Sequence, residues 1–132
     1  MSLAARVRAA KRVYLIGNGG SYANAMHIAN DLIACGIRAH VLDPATLTAT
    51  ANDHGYEYIF SKWLIVTGES GDMLIALSGS GKSKNILNAI EAARIIGMDV
   101  ERVFGAENGL NMEEAEEQQI ALGHQLKLEL KK

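Results

Sequence analysis

Two histidines in this chain are placed to do chemistry. His27 and Asp31 stand four residues apart in a segment with helical character, so they share one helix face. His124 lies in the C-terminal segment with Glu116 eight residues before it, a little over two helical turns, so these two also point to roughly one side. Two imidazoles and two carboxylates can hold a divalent metal such as zinc. They can equally serve as an acid/base pair. Spacing alone also allows a plainer reading, a solvated His–Asp pair and a solvated glutamate-rich helix face, "MEEAEEQQ".

Two glycine-rich loops stand elsewhere in the chain. "GNGGS" (17–21) follows the apolar run "RVYLI" and opens a helical segment. "SGSGKS" (78–83) follows "DMLIAL" and does the same. Small residues let backbone approach a ligand, and a helix start offers free N–H groups and the positive end of its dipole. Ser78, Ser80 and Ser83 add hydroxyls, which suits a phosphate monoester better than a dinucleotide. Neither loop has the Walker A spacing, and Gly17, Gly19 and Gly20 do not match G-x-G-x-x-G. A pair of tight turns with helix caps is the alternative. In "AND" (51–53), Asn52 and Asp53 fall in a polar stretch from which side chains can reach a ligand.

The elements that must position these groups alternate. Strands are expected over 12–17, 38–43 and 72–81, with a fourth over 99–105. Helices are expected over 21–36, with Ser21 as N-cap and Gly36 as stop, and over 56–68, 84–97 and 112–132. Residues 44–55 read as a loop with a short helix. The last helix carries a weak apolar stripe of Ile120, Ala121, Leu122, Leu126, Leu128 and Leu130. Strand–helix alternation predicts an α/β fold, a three-layer αβα sandwich around a parallel, flavodoxin-like sheet of four to five strands. Ligands collect at the carboxyl ends of such strands, where both loops fall.

With 132 residues the chain makes one domain, 1–132. Its net charge of −2 gives no reason to expect nucleic acid, and no apolar run approaches the roughly 18–20 residues that span a bilayer. The basic start "MSLAARVRAAKR" lacks the h-region of a signal peptide. The single cysteine, Cys35, reads as a buried structural thiol, and a cytoplasmic location follows from it.

"GNGGSYANAMHIANDL", "ANDHGYEYIFSKWL" and "GDMLIALSGSGKSKNILNAIEAARIIGM" resemble, in this order, the sugar-isomerase (SIS) domain family, and within it the phosphoheptose isomerases. The resemblance covers about Arg12 to Met98 and resumes over the last helix. It implies a sheet of five parallel strands, a homotetramer or homodimer with active sites between subunits, and aldose–ketose isomerisation of a sugar phosphate through an enediol, sedoheptulose 7-phosphate being the family's substrate. It implies substrate contacts for Asn18, Gly19, Gly20, Ser21, Asn52, Asp53 and Glu116, and a phosphate cradle of Ser78, Gly79, Ser80 and Ser83. It implies one zinc ion per subunit held by His27, Asp31, Glu116 and His124, with His124 and Asp31 in the acid/base roles. A non-catalytic phosphosugar-binding or regulatory module is the alternative within the family.

The chain departs from the family pattern at four places. Asp31 stands where the family has glutamate, and Glu116 where it has glutamine. "SGSGKS" replaces "STSGNS", which brings Lys82 to the loop. The N-terminal helical arm is largely absent, and residues 104–112 are compressed.

Overall fold

The computed structural model describes residues 1–132. Strand β1 (Val13–Ile16) is followed by helix α2 (Gly20–Ala34), a two-residue strand β2 (Ala39–His40) and helices α3 (Pro44–His54) and α4 (Ile59–Thr67). Strand β3 (Met73–Ser78), helix α5 (Lys84–Ile96), strand β4 (Asp99–Phe104) and helix α6 (Met112–Leu130) complete it, and helix α1 (Leu3–Ala9) precedes β1. The four strands lie in the order β2-β1-β3-β4, all parallel, with Val13 beside Ala39 and Met73, and Met73 beside Asp99. Four strands is the lower bound of the expectation.

Every residue of β1 and β3 is buried, as a parallel sheet covered on both faces requires. Alternate side chains feed two separate cores. Val13, Leu15, Ile75 and Leu77 pack with Val7 of α1, Ile28 and Leu32 of α2 and Leu126 of α6. Tyr14, Ile16, Leu74 and Ala76 pack with Phe60 and Leu64 of α4 and Ile86, Ala89 and Ile90 of α5. Hence the three layers, with α1, α2 and α6 on one face and α4 and α5 on the other.

Local chemistry moved several boundaries. Residues 44–54 form an eleven-residue helix rather than a loop with a short helix. Asp43 caps it by accepting from the Thr46 N–H at 3.0 Å, and Pro44 is pre-set for the first turn. None of its residues is fully buried, though Leu47 and Ala51 pack against the second core. Helix α2 starts at Gly20, and its cap is Gly19 at φ 56°, a conformation glycine adopts freely; Ser21 is not the cap. Cys35 closes the C-terminus of α2 and is half-buried rather than buried. Helix α6 has an Asn111/Glu114 capping box, and of the expected stripe Leu122, Leu126 and Leu130 pack against the core. Ala115, Gln119, Gly123 and Leu126 face inward, while Leu128 is 60% exposed.

Candidate active site at the sheet switch point and the α2–α6 seam

From β1 the chain runs outward to β2, then returns across β1 to β3. The carboxyl ends of β1 and β3 are therefore adjacent and are the switch point of the sheet, the place where ligands bind in folds of this kind. Both glycine loops leave from there. They are tied together by side chains. The Asn18 and Asn85 amides bond reciprocally, Nδ2 to Oδ1 at 2.9 Å and 2.8 Å, and the Tyr56 hydroxyl donates to Asn18 Oδ1 at 2.9 Å. Asn85 is buried at the start of α5. Neither Asn85 nor Tyr56 is legible from sequence as a site residue, because each works through Asn18 and belongs to no loop motif.

Within the serine loop, Ser78 Oγ accepts from the Gly81 N–H at 2.9 Å, and Ser80 Oγ accepts from the Lys82 N–H at 3.1 Å. These hydroxyls shape the loop. Ser83 stands at the cap of α5 and makes no capping bond, so its hydroxyl is free for a ligand. Gly79 lies under Met112, whose Sδ would be 2.5 Å from an added β-carbon, so the start of α6 closes over the loop. Lys82 is exposed.

Helix α6 lies against α2 along a seam of small and polar residues. The Gln119 amide donates to the buried Ser21 Oγ at 3.0 Å, and Asn24 donates to Gln119 Oε1 at 2.9 Å and to the Glu116 carbonyl at 3.0 Å. Ser21 is thus engaged inside the seam. Gly123 lets the helices close, since a β-carbon there would be 2.6 Å from Ile28 Cγ1.

That close approach assembles the chemical groups. His27, Asp31 and His124 come together with a ligand atom from each within 4.8 Å of the others. The two imidazole rings lie 5.6 Å apart, inclined at 65°. Asp31 is 6% exposed; its Oδ2 is 3.5 Å from His27 Nε2, and Lys127 Nζ donates to its Oδ1 at 3.2 Å. Asp31 Oδ2 is buried and has no hydrogen-bond partner. A buried carboxylate oxygen left unpaired beside two imidazoles fits a divalent cation, which takes such a donor set.

Glu116 is not in this group. Its carboxylate lies over Gly20, where an added β-carbon would be 1.5 Å from Oε2. An open groove of about 650 Å³ runs between α2 and α6, with Gly20 and Glu116 among its walls and His124 as well. Asn52 and Asp53 are exposed on the last turn of α3, bonded to each other at 3.1 Å, with no hydrogen bond to either loop.

The fold and site together define a doubly wound α/β protein with two glycine-rich loops at its switch point, and a cluster of two imidazoles and a carboxylate that could hold a metal ion where α2 meets α6. Residues 1–103 match the SIS domain, and the chain belongs to that family. It is 42% identical over 114 residues to the phosphoheptose isomerase of Edwardsiella ictaluri, and 42% identical over 113 residues to that of Rhodospirillum rubrum. Those matches cover 81% and 80% of this chain and 59% and 60% of the relatives, so the chain spans about three-fifths of their length. Among solved structures, the phosphoheptose isomerase of Neisseria gonorrhoeae superimposes with a TM-score of 0.88 at 27% identity, over 98% of this chain and 80% of that one. The enzyme of Francisella tularensis gives 0.86 at 27% identity, over 97% and 82%.

Proposed function

We propose that this protein is an aldose–ketose isomerase acting on a sugar phosphate, with sedoheptulose 7-phosphate as the substrate and the isomeric heptose 7-phosphate as product. The observation that carries this reading is the meeting of His27, Asp31 and His124 beside the groove between α2 and α6. A module that only binds a phosphosugar has little use for such a cluster. The relatives' names support the choice of sugar.

The phosphate is the handle. Ser83 and the first-turn amides of α5 receive it, with Ser78 and Ser80 holding the loop in shape around Gly79 and Gly81. Asn18, Gly19 and Gly20 line the sugar's path, and Asn52 and Asp53 take its outer hydroxyls. Binding energy at the remote phosphate then fixes the reacting carbons.

In the ketose-to-aldose direction, a base takes the proton from carbon 1. The electron pair forms the carbon 1–carbon 2 double bond, and an acid protonates the carbonyl oxygen on carbon 2. The resulting enediol regains a proton at carbon 2 and loses the one on oxygen 1, which leaves the aldehyde. His124 is exposed to the groove and serves as the base. Asp31, behind it, completes the acid/base pair.

His27, Asp31 and His124 would hold a divalent ion such as zinc, one per subunit, while Glu116, the fourth ligand the resemblance implies, lies over Gly20. When bound, such an ion supplies polarisation of the carbonyl.

The protein works as a homodimer or homotetramer in the cytoplasm. Exposed Ile65 (63%), Val66 (82%) and Ile95 (78%) on α4 and α5 support self-association. No helix is long and apolar enough to cross a membrane.

The deciding experiment is proton exchange in deuterium oxide with sedoheptulose 7-phosphate, followed by NMR. Deuterium entering the carbon next to the carbonyl is expected. Saturable binding without exchange would replace this reading with that of a phosphosugar-binding or regulatory module.

A further inference from the structure

Lys127 is a charged part of the α2–α6 seam that the proposed chemistry does not use. It lies three residues beyond His124 on α6, so the two share a helix face. Its side chain is one-third exposed, and its ammonium donates to Asp31 Oδ1 at 3.2 Å. The other oxygen of that buried carboxylate has no hydrogen bond and lies 3.5 Å from His27 Nε2.

Burying a carboxylate is unfavourable unless a partner compensates it. Lys127 supplies the counter-charge, and by occupying Oδ1 it leaves Oδ2 turned toward the imidazole. The same ammonium stands on the very carboxylate that would ligate a cation. Metal-ligating imidazoles are neutral. One carboxylate and one ammonium therefore leave the cluster without net negative charge, and like charges a few ångströms apart repel in a partly buried site.

We propose that Lys127 is a positioning residue with two opposed effects: it holds Asp31 in place in the metal-free protein, and it lowers the affinity of the His27–Asp31–His124 site for a divalent cation. The proposal rests on reading that trio as a metal site. A lysine with a merely structural role would stabilise the metal-free and metal-bound forms alike, and its removal would not tighten metal binding.

The test is zinc titration of the full chain against a chromophoric chelator, with thermal melting measured with and without zinc. Wild type is compared with Lys127→Met, Lys127→Gln and Lys127→Arg, and His27→Ala reports whether zinc sits at the trio. Lys127→Met is expected to bind zinc on the order of tenfold more tightly. Its metal-free form melts lower, its melting shift with zinc is larger, and Lys127→Arg stays near wild type. Lys127→Gln gives the same answer if the methionine variant does not fold. Binding by the neutral variants alone, with none by wild type, supports the proposal in its strongest form. Zinc binding that is unchanged or weaker in both neutral variants, while wild type binds at the trio, overturns the role of Lys127 and leaves the metal site standing. No zinc binding by any chain, or binding that survives His27→Ala undiminished, removes the metal site and the proposal with it.

Discussion

Asn18 and Asn85 exchange two amide hydrogen bonds, at 2.9 Å and 2.8 Å, across the point where the strand order reverses. One residue belongs to the loop after β1 and the other to the helix after β3, so a single pair sets the spacing of the two loops. Replacing Asn85 by leucine leaves Asn18 without its partner and puts an apolar side chain where an amide was satisfied. The expected loss is about 1–3 kcal/mol by chemical denaturation. With the loops holding the phosphate as proposed, the KM for the sugar phosphate should rise more than kcat falls. An unchanged KM in steady-state kinetics would show that the pair does not set the spacing of the loops.

Gly123 governs the distance between α2 and α6. A β-carbon at this position meets Ile28 Cγ1 at 2.6 Å, closer than packed atoms tolerate. Gly123→Val should cost about 1–3 kcal/mol through overpacking. It should also part His124 from His27, which lowers activity beyond what lost stability explains. Thermal melting read beside kcat at a temperature where the variant is fully folded separates the two.

His124 is exposed, so its replacement by alanine should leave the fold intact. As the base, it should account for about 10²-fold or more in kcat. Activity close to wild type would sink the assignment. Treatment of the wild type with a strong chelator should lower turnover, and added zinc should restore it.

Arg6 of α1 holds Asp99 at the start of β4 by two bonds of 2.9 Å, and reaches Glu101 at 2.6 Å. The hydrogen bond from Arg6 holds the Asp99 carboxyl below its ordinary value of 3.8, with burial opposing it. A depressed folded-state value means that the pair adds stability above the unfolded-state value, and that this is lost as pH falls through the folded-state value. Asp99 is about half exposed, so the contribution is about 0.5–1 kcal/mol after screening. Asp99→Asn should be less stable than wild type at pH 7 by that amount, and the gap should close as pH falls below the ordinary carboxylate range in paired urea titrations.

The sheet and its loops could be read from the chain because their signals are local. The unbroken apolar runs of β1 and β3 belong to strands buried on both faces, and "GNGGS" and "SGSGKS" sit where strand gives way to helix. Helix α3 was under-read because only Leu47 and Ala51 of its residues reach the core, a short apolar signal. The seam of α6 was legible in part. Leu122, Leu126 and Leu130 pack as the apolar stripe implies, but Leu128 faces solvent, and the inward Gln119 and Gly123 carry no apolar signal.

The sequence by itself determined the αβα layering, the two glycine-rich loops and the pairing of His27 with Asp31, each set by residues within a few turns of one another. Tertiary structure alone decided that His124 joins that pair while Glu116 lies over Gly20, that Lys127 takes one oxygen of Asp31, and that Asn85 clasps Asn18. Those relationships span most of the chain. They depend on how closely two helices pack, and here that is set by a missing β-carbon at Gly123 and a buried amide at Gln119, which hydrophobic periodicity does not register.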